Sequence, residues 1–131
     1  MMRAAFLFAL LFPITAVAED TAPWLGAEIE TCLIGNTIVG EAHDFFGADF
    51  KIYFHPNGTT RGVAEKFSFT VTDRGRWEID GNKICVQWSK WEGNDRLCRT
   101  TATRAGEILM FDAEGNVTSR QTVRAGNPYD L

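Results

Sequence analysis

The sequence predicts an all-β domain: an antiparallel up-and-down meander closing into a small barrel of about eight strands, with one short N-terminal helix. Three observations carry that expectation. Apolar and polar residues alternate with period two over most of the chain, as half-buried strands require. Turn signals recur at short intervals: Pro56-Asn57-Gly58, Asp73-Arg74-Gly75, Asp80-Gly81-Asn82, Glu92-Gly93-Asn94, Ala105-Gly106 and Glu114-Gly115-Asn116. Connections this short make successive strands neighbours, and a flat meander would expose two edges and one apolar face, which closure removes. An open sheet or sandwich is the alternative arrangement.

Taken in order, the chain opens as a signal peptide over residues 1–18. Met1-Met2-Arg3 carries a positive charge, Ala4 to Phe12 is uninterrupted apolar sequence, and Ala16-Val17-Ala18 has the small-x-small form of a cleavage site. Cleavage is expected after Ala18, leaving 19–131 as a single domain with no cysteine at the cut to carry a lipid. A helix follows. Thr21 can cap it, Pro23 suits its first turn, and Leu25, Ile29, Cys32 and Leu33 recur on one face before Gly35 ends it. Cys32 on that face reads as a small buried hydrophobe.

Strands are expected near 36–41, 49–55, 59–65, 67–73, 75–80, 83–90, 96–104 and 107–112. Residues 117–123 make a further one, depending on whether 59–65 and 67–73 are one bent strand or two. Phe50, Ile52 and Phe54 alternate with Lys51, Tyr53 and His55, and Ile84, Val86 and Trp88 take the apolar positions of their segment. Trp77, between Arg76 and Glu78, is expected to fill much of the interior. Trp91, beside a turn, is expected to be thinly packed. Residues 126–131 read as a tail.

The hairpin 85–98 turns at Glu92-Gly93-Asn94-Asp95, and counting back from it brings Cys85 opposite Cys98. Opposed strand positions have the spacing a disulfide needs, and closing so short a loop stabilises by roughly 2–3 kcal/mol. Cys32 is then left reduced.

Short motifs point to a family. Gly35-Asn36-Thr37, Tyr53-Phe54-x-Pro56-Asn57-Gly58-Thr59, Gly75-Arg76-Trp77-x-Ile79, Ile84-Cys85-x-x-Trp88, Cys98 and Gly126-Asn127-Pro128 follow a helix in that order. The pattern resembles small exported bacterial proteins of the calycin type, the lipocalin-like and protease-inhibitor-like barrels. The resemblance implies a barrel and a cross-hairpin disulfide, and no catalytic residue.

Composition narrows the function. The chain has 131 residues, 45% of them hydrophobic and 23% charged. Its pI of about 5.1 argues against non-specific nucleic-acid binding, which needs a cationic surface. No apolar run reaches the roughly 18 residues of a spanning helix, so no membrane insertion is expected once the leader is removed. Catalytic groups are sparse. His43 and His55 match no compact metal-ligand spacing, no serine stands in a nucleophile elbow, and no glycine-rich phosphate loop follows a strand. Glu78 and Asp80 alternate with Arg76 as a solvated face. No catalytic set, metal or cofactor is therefore expected. Aromatics near the barrel ends, Phe45, Phe46, Trp88 and Trp91, are the candidate contacts for a ligand or partner.

The expected function is a periplasmic or secreted binding module for a small apolar ligand or an exported protein. An inhibitor of an exported protease, with Glu19 to Trp24 entering the enzyme cleft, is the alternative, and a barrel enzyme the third.

Overall fold

Period two along the chain becomes nine strands in a computed structural model that describes residues 22–131. The expected leader, its cleavage site and the capping role of Thr21 lie outside the described residues. The elements are β1 (Ala22–Pro23), α1 (Gly26–Leu33), β2 (Thr37–Ala42), β3 (Ala48–Phe54), β4 (Thr59–Lys66), β5 (Phe69–Asp80), β6 (Lys83–Trp88), a 3-10 turn (Trp91–Asn94), β7 (Arg96–Arg104), β8 (Glu107–Phe111) and β9 (Val117–Arg124). Strands β2 to β9 pair antiparallel in chain order, and β9 returns to pair with β2 from Thr37↔Arg124 to Ala42↔Ser119. The result is a closed eight-stranded barrel.

Strand β1 was not foreseen. Ala22 and Pro23 pair with Thr103 and Ala102 of β7, beyond the pair Ile84↔Arg99 at which the β6 pairing stops. Pro23 is thus a strand residue and not part of the first helical turn. Trp24 continues the contact: its backbone N–H donates to the Thr101 carbonyl at 2.8 Å, and its indole Nε1 donates to Thr103 Oγ1 at 2.8 Å.

Helix α1 lies across one end of the barrel. At its start Leu25 N–H donates to Glu28 Oε1 at 3.3 Å, and Gly26 N–H donates to Asn82 Oδ1 at 2.9 Å. A Cβ on Gly26 would stand 2.2 Å from the Gly81 carbonyl oxygen, so only glycine lets the helix touch the β5–β6 turn. Ile29 and Leu33 are fully buried, while Cys32 is free and half-buried against the core. Each full burial contributes roughly 1.5–3 kcal/mol. The helix ends where Ile34 turns extended; Gly35 behind it is left-handed, but its N–H donates across to the Phe54 carbonyl at 2.7 Å and not back to the helix. The helix therefore plugs the end that also carries the turns after β3, β5 and β7. Loops 43–47, 67–68, 89–95 and 112–116 ring the opposite end.

Three expectations need correction. Residues 67–73 and 75–80 form the single strand β5, and Asp73-Arg74-Gly75 is no turn. Gly75 serves close strand approach instead: a Cβ there would lie 2.4 Å from the Gln87 carbonyl oxygen. The turn falls at residues 67–68. Trp77 does not fill the interior. It is half-buried, with Nε1 donating to the His55 carbonyl at 2.7 Å, whereas Trp88 is 4% exposed and belongs to the core. Nor is the C-terminal segment a loose tail. Thr37 Oγ1 donates to the Gly126 carbonyl at 2.7 Å, and Lys51 Nζ stands 4.7 Å over the Tyr129 ring.

Cys85 and Cys98 are directly opposed in the β6–β7 register and joined by a disulfide. They lie on the outer face, where Arg96 Nε donates to Glu78 Oε1 at 2.6 Å and Nη2 to Asp80 Oδ2 at 3.4 Å. The Glu78 hydrogen bond is the main reason the Arg96 guanidinium is held above its ordinary pKa; it outweighs desolvation, and Asp80 adds to it.

Candidate functional site: an apolar cavity under the open end

Inward positions of the strands line a partly open cavity of about 130 Å³. Its wall is mostly apolar: Ile38, Phe50 and Phe54 from β2 and β3, Ile84, Val86 and Trp88 from β6, and Met110 from β8. Its roof is built from two open-end loops, with Phe45 on one side and Trp91 on the other.

Trp91 is held there by a carboxylate. Asp73 Oδ2 accepts the backbone N–H groups of Lys90 at 2.7 Å and Trp91 at 2.9 Å, and Oδ1 accepts that of Arg74 at 2.8 Å. Burial pushes the Asp73 pKa up, but the three N–H donors and the Lys90 charge outweigh it and hold the carboxyl below its ordinary 3.8. The fixed loop lays Trp91 on Trp88, ring centroids 4.7 Å apart. Opposite them β4 carries Gly62, where a Cβ would come within 2.6 Å of Trp91 Cζ3 and 2.8 Å of Trp88 Cη2. A glycine therefore makes the space that both indoles occupy. The expectation of a thinly packed Trp91 is overturned, because the Asp73 bonds turn the loop inward onto the barrel.

The charged part of the roof is Arg99. It stands opposite Ile84 in the β6–β7 register and so points inward. Its side chain is 15% exposed, and Nη2 donates to Asp44 Oδ2 at 2.9 Å and Glu92 Oε1 at 2.7 Å. One guanidinium from the wall thus clamps two loops from either side of the mouth. Two carboxylates satisfy the one guanidinium, so the cluster over the cavity carries a net negative charge.

Of the four aromatics singled out from the sequence, Phe45, Trp88 and Trp91 line this cavity. Phe46 does not; it points to solvent, its ring 5.9 Å from that of Phe45. His43 sits in an open-end loop and His55 at the plugged end, so topology keeps them apart. Glu78 and Asp80 are outer-face partners of Arg96. Sequence reasoning missed Gly62, Asp73 and Arg99. A signal existed for Arg99: the Cys85–Cys98 register itself places it opposite Ile84 on the inward face.

The chain matches no protein-family profile, no curated protein and no solved structure.

Proposed function

We propose that this protein is an exported barrel that binds a small apolar molecule in its interior. The observation that carries the reading is the cavity: about 130 Å³, walled mostly by aliphatic and aromatic side chains, with the charged groups confined to the Arg99–Asp44–Glu92 cluster at its roof. A dry apolar cavity of roughly 150 Å³ in another protein accepts benzene, which sets the size class at one ring or a short chain. A long acyl chain is too large. The Cys85–Cys98 disulfide supports an oxidising compartment, as does the leader-like start of the sequence. The short motifs that resemble calycin-type barrels support the same assignment. Nothing favours the inhibitor reading over this one, since Ala22 to Trp24 are built into the sheet and are not a free arm.

Titration with benzene, toluene and indole, followed by calorimetry, tests the reading. Saturable binding is expected, and Ala64→Leu should abolish it by filling the space while the domain still melts cooperatively. Absence of binding by the folded wild type, or equal binding by the filled variant, would refute it.

A further inference from the structure

Three phenylalanines stand in solvent at the open end. Phe46 tips the 43–47 loop and is 80% exposed, Phe67 tips the β4–β5 turn and is 94% exposed, and Phe69 at the start of β5 is 49% exposed. Phe46 and Phe67 both hold φ 55, a left-handed conformation in which a bulky side chain is strained and asparagine or glycine is not. The two tips are neighbours. Strands β3 and β4 pair up to Asp49↔Glu65, just short of both tips. Lys66 Nζ lies 5.5 Å over the Phe67 ring, and a Cβ on Gly47 would meet the same ammonium at 3.7 Å. Two strained aromatic residues thus project beside one cation, and neither ring belongs to the core.

We propose that this end of the barrel docks on a lipid surface rich in zwitterionic, ammonium-bearing headgroups, with the Phe46 and Phe67 rings entering the headgroup layer. Shape favours lipid over protein: the tips are convex and come from separate loops, so a protein would need a pocket for each, whereas lipid yields around a ring. Phenylalanine is among the side chains that interfacial segments bury at the boundary of headgroups and acyl chains. Charge selects the headgroup. Asp49 and Glu65 are exposed at the base of the tips, which disfavours anionic lipid and complements an outward ammonium. Lys66, between the tips, can reach the phosphate below by extending its stem. This amends the expectation of no membrane insertion: the contact is interfacial, and no helix among the described residues is long and apolar enough to cross. The docking is independent of the cavity; a barrel that binds nothing inside would still dock.

The test is flotation of the protein, isolated in its exported form with its N-terminus read by intact mass, with phosphatidylcholine vesicles. The comparison is the double variant Phe46→Asn/Phe67→Asn. Wild type should float, and the double variant should bind at least about tenfold more weakly for loss of two buried rings. Its melting temperature should be equal or higher, because asparagine accepts the left-handed backbone. Added phosphatidylglycerol should weaken wild-type binding. Wild type that fails to float, a double variant that floats equally, or binding that rises with phosphatidylglycerol overturns the proposal. So does self-association without vesicles that the double variant abolishes, which would assign the tips to a second copy of the chain.

Discussion

Asp73 shows how much a single side chain can organise. It sits mid-strand, yet it accepts three backbone N–H groups and fixes the loop that carries Trp91. Its carboxyl is held below the ordinary 3.8, so the folded state binds that proton less readily than the unfolded chain. The stabilisation is therefore complete above about pH 4 and is lost as pH falls through the lowered folded value. Asp73→Asn should melt below wild type at pH 7, and the difference should shrink in thermal melts taken at progressively lower pH under 3.8. A difference that does not change with pH would mean that the oxygen's position matters and its charge does not. In the sequence Asp73 stood before Arg74-Gly75 and read as a turn. Local composition cannot distinguish an aspartate that starts a turn from one that accepts bonds from another loop, since the partners lie 17 and 18 residues away.

Among the elements, α1 was legible and its seat was not. The apolar spacing of Ile29 and Leu33 predicted the helix and its buried face, because both follow from the helical period. Where the helix starts depended on a glycine whose neighbour comes from a distant turn, and on β1, a strand of two residues too short for any periodicity. Gly26→Ala tests that junction. The alanine would ease a helical position, yet its Cβ meets the Gly81 carbonyl at 2.2 Å, and overpacking of this kind costs roughly 1–3 kcal/mol. Chemical denaturation should show a net loss of stability, with the helix pushed off the Asp80-Gly81-Asn82 turn. Unchanged or raised stability would show that propensity outweighs the contact.

At the scale of the whole molecule, closure was legible because it follows from counting. Short turns impose neighbours, and about eight alternating strands leave two edges that only each other can satisfy. Which tryptophan fills the barrel was not, because it depends on shape across strands. Trp77 and Trp88 both occupy inward parity, but Trp77 lies near the plugged end against the His55 turn, while Trp88 is received by Gly62. Trp88→Ala should cost roughly 3–5 kcal/mol through lost burial and a residual cavity. Trp77→Ala, half-buried from the start, should cost less. Urea melts of the two variants decide it, and a larger loss at Trp77 would contradict the observed packing.

The β2–β9 seam has a consequence for time. It joins Thr37 to Arg124 and Ala42 to Ser119, among the most distant pairings the chain could make, whereas the disulfide hairpin joins cysteines only 13 residues apart. Loop closure of that length has its entropy cost before any reward from the seam's contacts. A chain that emerges from its N-terminal end can therefore complete the β6–β7 hairpin and its disulfide early, but it holds β2 as an open, unpaired edge until the last strand arrives. Closure of the barrel then waits for β9 to find β2. Until then the chain carries a sheet edge that another copy can extend, so any delay in delivering the C-terminal residues lengthens its exposure to aggregation.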